Sequence, residues 1–221
     1  MSGFIGVDEA GRGPVFGSLF VAAVASKTVD DLPDGTADSK TLTTGERREL
    51  AEAIFDHQAI ETAVVEVTAE AIDAADVSLT ELIARAFAEA INGVRHPDAT
   101  VVTDAGEADV DRFSARVRHH LDQTMSVQAR IRADETEPIV SAASIIAKEH
   151  RERHIDELTR SYGDIGSGYP SDPTTRAYLV EYLEEHGDVP PFTRRSWQTC
   201  KDAQSAYEQA SFERFIATGD D

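Results

Sequence analysis

Cysteine, lysine and long apolar runs are scarce in this 221-residue chain. Cys200 stands alone, so no internal disulfide can form and a cysteine-rich zinc site is excluded. No stretch approaches 18 continuous apolar residues, and the N-terminus lacks a basic region followed by an apolar one. These absences predict a cytoplasmic, non-membrane protein. No internal repeat and no low-complexity linker divides the chain, whose length suits one domain with a proper core.

Acid is what the chain has in excess. Asp and Glu number 41 against 21 Lys and Arg, for a formal charge of −20 and a pI near 4.6. Four of the basic residues are lysines (Lys27, Lys40, Lys148 and Lys201), and the rest are arginines. Acidic excess with scarce lysine is the pattern of a protein adapted to concentrated salt. At 1 M salt the Debye length is about 3 Å, so net repulsion from a polyanion loses its reach. An acidic exterior is then compatible with a local basic site built from Arg12, Lys40 and Lys148.

The most informative stretch runs from Gly6 to Pro14. Phe4-Ile5-Gly6-Val7 reads as the end of a buried strand that delivers Asp8 and Glu9, then Gly11-Arg12-Gly13. Chance alone would put roughly eight adjacent acidic pairs in so acidic a chain, so specificity lies in the strand before the pair and the turn after it. Alternation along a strand sends Asp8 and Glu9 to opposite sides. Glycines permit close approach of the backbone to a ligand, and Arg12 offers a planar donor fork suited to phosphate. Acids that can hold a hard cation, beside a device for phosphate, suggest metal-assisted phosphodiester chemistry.

Periodicity predicts strands at 3–8, 18–25, 60–67, 99–103 and about 125–131. It predicts helices at 43–57, 78–92, about 109–121, 139–160 and 172–186, with Gly93 and Pro97 ending the second. Alternating strands and helices imply an α/β fold with a mixed sheet flanked by helices, and a C-terminal third that is nearly all helical. Asp104 sits where a strand ends, a common place for catalytic residues, although the segment alone favours a helix cap or turn. Asp134, Glu135 and Glu137 precede Val140-Ser141-Ala142-Ala143-Ser144-Ile145-Ile146-Ala147-Lys148, and spacing does not choose a ligand among them. Small residues there permit tight packing on a sheet, and an exposed helix start with serines could also receive a phosphate.

Gly6-Val-Asp-Glu-Ala-Gly-Arg-Gly-Pro14, Asp38-Ser39-Lys40, Asp104 and Ser141-Ala-Ala-Ser-Ile-Ile-Ala-Lys148 occur in the order found in ribonuclease HII. Gly168-Tyr169-Pro170-Ser171-Asp172-Pro173 and Arg194-Arg195-Ser196-Trp197 extend the match, the latter in the manner of archaeal members. Over residues 3 to 200 the chain resembles that family. The departures are Thr103-Asp104-Ala105-Gly106 in place of an aspartate-glycine step, and Glu152 after Arg151 where an aspartate is common.

The resemblance implies a ribonuclease H-like fold with a helical C-terminal segment: a catalytic domain at 1–160, helices at 161–208 and a tail at 209–221. It implies cleavage of the RNA strand of RNA/DNA hybrids and nicking of DNA 5′ to an embedded ribonucleotide, with Mg²⁺ or Mn²⁺ in a two-metal site. Asp8, Glu9, Asp104 and Asp134 would be the catalytic, metal-binding carboxylates. Gly11, Arg12 and Gly13 would read the 2′-hydroxyl and its phosphate. Tyr169 would pack on the sugar at the junction, and Lys40 and Lys148 would meet backbone phosphate. A monomer is expected. A structure-specific DNA nuclease and a non-catalytic hybrid-binding protein are the competing readings.

Gln209, Phe212, Phe215 and Ile216 have the spacing of a sliding-clamp-binding peptide, and equally that of an amphipathic helix turn. His150 and His154 lie one turn apart like a zinc pair, but Arg151 stands where the metalloprotease motif needs glutamate; a helix surface is expected. His119-His120 reads as solvated, and Trp197 as a core or cap anchor.

Overall fold

In the computed structural model, residues 3–36, 42–96 and 98–218 are described, with side chains as far as Glu213. Asp38, Ser39, Lys40, Pro97 and the side chains of Phe215 and Ile216 lie outside these. The chain forms two compact units. One comprises Met1–Gly11, Leu19–Val67 and Ala75–Glu152, the other Arg12–Ser18, Thr68–Ala74 and Arg153–Asp221. The turn at 12–18 and a short helix at 69–74 join the second unit with the residues from 153 onward.

The first unit is a five-stranded sheet with helices on both faces. Its strands are β1 (Phe4–Ala10), β2 (Leu19–Ser26), β3 (Ile60–Val67), β4 (Thr100–Asp104) and β5 (Val127–Arg130), ordered β3-β2-β1-β4-β5. β1 pairs antiparallel with β2 and parallel with β4, so the sheet is mixed. Register explains its central position: Val7 lies opposite both Ala23 and Thr103, and β2 is buried along its whole length.

Helices α1 (Thr44–Asp56) and α6 (Pro138–Tyr162) pack on the face that carries Ala10, Ala22, Val24 and Val102. A capping box of Thr43 and Glu46 starts α1, satisfying two backbone donors that a helix start leaves open. The opening of α6 is buried on every side from Ile139 to Ala147, and Ser141, Ala142, Ala143 and Ser144 within it permit close approach to the sheet. Gly6 is the counterpart: a Cβ there would stand 2.1 Å from the Ile139 carbonyl oxygen. Ser141 is buried and donates to the Thr36 carbonyl at 2.6 Å. This helix start therefore belongs to the core, and the tight-packing reading of its small residues accounts for it.

On the other face α3 (Leu79–Asn92) packs against β1, β2 and β3, and α4 (Val110–His119) against β5. Glu81 links the two helices, taking bonds from His120 at 2.7 Å and Arg116 at 2.5 Å. These hold its carboxyl below the usual glutamate range, with His120 the larger cause. His120 is thus a helix-pairing residue and not merely solvated.

The second unit gathers α2 (Ala69–Ala74), the last turns of α6, α7 (Pro173–His186) and α8 (Gln198–Thr218). Its core is Val15, Phe16, Ile165, Leu179, Leu183, Val189, Phe192 and Cys200. Asp172 caps α7 with Pro173 in the first turn, and Gly187 ends it with φ of 71°, as the left-handed stop of a helix favours. Among the described residues no helix is long and apolar enough to cross a membrane.

Candidate active site

Strand register builds the acidic site from β1 and β4. Val7 lies opposite Thr103, so Asp8 and Asp104 are the next residues on two paired parallel strands. Asp8 is 5% exposed. Its Oδ1 accepts the Glu9 N–H at 2.8 Å. Burial pushes its pKa well above the usual aspartate range; Glu9 raises it further, the Ser144 hydroxyl opposes the rise, and Asp104 adds to it. The motif Ser141–Lys148 thus contributes Ser144 to the acidic cluster. Lys148 lies one turn further along α6, half-buried, on the same side of the helix.

Asp104 does what a turn aspartate does, but for a distant segment. Its Oδ1 accepts the Ala133 N–H at 2.7 Å, where the short helix α5 (Ala133–Thr136) begins. Arg132 precedes it with φ of 55°, a left-handed conformation that non-glycine residues rarely adopt. Asp104 therefore anchors the backbone immediately before Asp134, which is half-buried. Glu137 is ion-paired with Arg130, and Glu135 is exposed with Arg132 at 3.8 Å. A Cβ on Gly106 would meet the Phe113 ring at 2.6 Å, which explains why a glycine follows at that position although Ala105 intervenes.

The structure thus brings Asp8, Glu9 and Asp104 into electrostatic contact and ties Asp104 to the segment of Asp134. Among the described residues, no three His, Cys, Asp or Glu side chains stand close enough together to hold a metal ion as they are. The donor chemistry is nevertheless that of a hard-cation site, with oxygen ligands only. The crowding that raises Asp8 is the kind that a divalent cation relieves.

Gly11, the last residue of the first unit, has φ of 89°, a conformation open to glycine at little cost. The second unit carries Arg12, Gly13 and Tyr169. Gly13 is exposed, and a Cβ there would stand 3.7 Å from the Tyr169 ring, an ordinary contact. Among the described residues, packing does not demand glycine at 13. Tyr169 is 37% exposed.

The histidines of α6 do not form a zinc pair. His150 lies against the rings of Phe20 and Phe55 at 6.0 and 5.8 Å, while His154 Nε2 accepts the Ser18 N–H at 3.2 Å. Trp197 is an anchor, as expected, donating from Nε1 to the Gly13 carbonyl at 3.3 Å. Sequence reasoning missed Arg194 and Asp73 as organisers of this region. The Arg-Arg-Ser-Trp stretch was a signal for the first; nothing in the sequence marked the second.

A family model described as Ribonuclease HII matches residues 5–200. The ribonuclease HII of Natronomonas pharaonis is 46% identical over 215 residues, covering 97% of this chain and 100% of that one. Among solved structures, the ribonuclease H2 of Pyrococcus horikoshii OT3 superposes with a TM-score of 0.88 at 39% identity, over 94% of this chain and 99% of the other. A structure of a PCNA:RNase HII complex from Archaeoglobus fulgidus matches with a TM-score of 0.82 at 38% identity, over 91% and 96%.

Proposed function

The chain belongs to the ribonuclease HII family and is a ribonuclease H, and from that premise we propose that it nicks DNA 5′ to an embedded ribonucleotide and cuts the RNA strand of hybrids by two-metal hydrolysis, leaving 3′-hydroxyl and 5′-phosphate ends. The observation that carries this reading is the buried Asp8 crowded by Glu9 and Asp104. A chain gains nothing in stability from gathering like charges there. Asp8, Glu9, Asp104 and Asp134 would hold Mg²⁺ or Mn²⁺, whose chemistry is to activate water and to stabilise the departing 3′-oxygen.

The chain's own residues do the rest. The Glu9 N–H and the Ser144 hydroxyl favour the ionised form of Asp8 against the burial that opposes it. Asp104 holds the start of α5 and so fixes where Asp134 can reach. Gly11 and Gly13 let the backbone approach a 2′-hydroxyl, the group that distinguishes RNA from DNA. Arg12 takes the adjacent phosphate as a planar fork. Tyr169 offers a ring face to the sugar at the junction, and Lys148 a charge to the backbone. Lys40 is assigned a like role by its motif alone.

A sliding clamp is the proposed partner, through Gln209, Phe212, Phe215 and Ile216. The A. fulgidus relative was solved in complex with PCNA. Phe212, moreover, is 64% exposed, as a docking residue must be and a core residue would not be.

The test uses a labelled duplex with one ribonucleotide in about 3 M KCl, where screening is nearly complete, with Mg²⁺ or Mn²⁺ and an all-DNA control. A metal-dependent nick 5′ to the ribonucleotide, lost in Asp8→Asn, is the expected result. Folded protein that binds hybrids but cleaves with neither metal would be a binder. Equal cleavage of the all-DNA duplex would make it a structure-specific DNA nuclease.

A further inference from the structure

Arg194 has no accessible surface and is the bulkiest of the fully buried side chains among the described residues. Its guanidinium holds backbone of the 12–18 turn. Nε donates to the Gly17 carbonyl at 2.9 Å, and Nη1 donates to the Arg12 carbonyl at 3.0 Å. Its own N–H donates to the Val15 carbonyl at 2.8 Å. The guanidinium lies 5.0 Å from the centre of the Trp197 ring, and Trp197 in turn donates to the Gly13 carbonyl. Residues 194–197 thus hold the carbonyls of Arg12, Gly13, Val15 and Gly17.

The support is itself supported. Asp73 accepts the N–H of Arg195 at 2.6 Å, the N–H of Ser196 at 3.0 Å and the Ser196 hydroxyl at 2.5 Å. Arg195 faces the other way and pairs with Asp188 through two bonds of 2.8 Å. On the opposite edge of the turn, the N–H groups of Val15 and Phe16 donate to the Gly168 carbonyl at 2.8 and 3.3 Å, next to Tyr169.

One consequence is directional. In a trans peptide the C=O and the following N–H point in opposite directions. Drawing the Arg12 carbonyl inward onto the guanidinium therefore aims the Gly13 N–H outward, where Gly13 is exposed. A planar fork holds two carbonyls at a fixed separation and direction; an ammonium's three donors radiate from one nitrogen and rotate, so it does not fix that geometry.

We propose that Arg194, seated on Trp197, is the positioning residue that aims the Gly13 N–H and thereby sets the discrimination of ribose from deoxyribose. The proposal rests on the reading of Gly11-Arg12-Gly13 as the ribose-reading turn. It assigns to the late Arg-Arg-Ser-Trp motif a task in substrate choice, apart from the chemistry of the carboxylates.

The test compares wild type, Arg194→Lys, Trp197→Phe and Arg12→Ala in the full chain. The readouts are thermal melting, metal-free binding of a single-ribonucleotide duplex against an all-DNA duplex, and kcat and KM on the former. Arg194→Lys should lower the ribo-to-deoxy binding ratio roughly tenfold, and Trp197→Phe by roughly fivefold, about what one lost hydrogen bond is worth. All-DNA affinity should hold, and KM should rise more than kcat falls. A merely structural role would lower melting and weaken both duplexes alike, and that outcome overturns the proposal. Should Arg194→Lys fail to fold, Trp197→Phe decides, since it keeps a ring beneath the guanidinium while removing the bond to Gly13. If Arg12→Ala loses discrimination while Arg194→Lys and Trp197→Phe keep it, the proposal falls and the reading of the turn stands. If Arg12→Ala also keeps it, the reading of the turn has failed and takes the proposal with it.

Discussion

Burial and two neighbouring carboxylates raise the Asp8 pKa well above the usual aspartate range, so the folded chain binds that proton more tightly than the unfolded chain does. Stability linked to Asp8 is therefore complete below the unfolded-state pKa and is lost as pH rises through the folded-state value. Asp8→Asn removes the charge and keeps the shape. Without metal, the variant should melt like wild type in acid and above it at neutral pH, by a few degrees, since each kcal/mol is worth about 2–4 °C in a chain of this size. Adding Mn²⁺ should raise the wild-type midpoint and close the gap. A neutral-pH midpoint below wild type would show that Asp8 supports the fold rather than burdening it. The strand carrying Asp8 and the glycine turn after it were legible in the sequence because they are contiguous in the chain. Asp104 was half legible: its strand end was readable, its bond to Ala133 was not, because that partner lies 29 residues away. Arg194 was legible only as part of a motif, since the carbonyls it holds lie 177 and 182 residues before it.

Apart from α8, elements long enough to show a period matched their expected positions closely; the other exceptions were too short to show one. The five strands and helices α1, α3, α4, α6 and α7 fall within a few residues of the periodicity reading. Helices α2 and α5, of 6 and 4 residues, are too short to display a stripe. Tertiary bonds help hold each in place, Asp73 to the Arg195–Ser196 turn and Ala133 to Asp104. The length of α8, 21 residues, was not anticipated, and it bears on the clamp. Its packing stripe of Cys200, Ala203 and Tyr207 faces the core of the second unit. At 100° per residue, Phe212 lies about 140° round the helix from Tyr207, which leaves it exposed. Removing residues 209–221 should abolish binding to the cognate clamp, measured by surface plasmon resonance, while cleavage of a ribonucleotide-containing duplex stays within about twofold, since truncations away from packed groups cost little. Retained clamp binding would refute the assignment.

At the scale of the whole molecule, a charge of −20 must meet a polyanion. Two effects then oppose each other as salt is added. On the proposed reading, phosphate contacts by Arg12 and Lys148 would release counterions, so their contribution would fall with salt, with a slope near −0.9 per contact on duplex DNA. Long-range repulsion between the acidic exterior and the nucleic acid also falls with salt, and that strengthens binding. The Debye length shrinks from about 10 Å at 0.1 M to about 3 Å at 1 M, so repulsion is lost over a range where contacts at touching distance persist. With few basic contacts and a large net charge, the second effect should win first. Affinity for a hybrid duplex is expected to rise with KCl up to about 1 M and then level, the reverse of a basic nucleic-acid binder. The melting midpoint should rise across the same range, because the same screening relieves repulsion within the chain. Fluorescence anisotropy of a labelled hybrid, read from 0.1 M upward, separates the two effects. Affinity that falls steadily from the lowest salt would mean that the basic contacts dominate, and that the acidic surface is turned away from the nucleic acid.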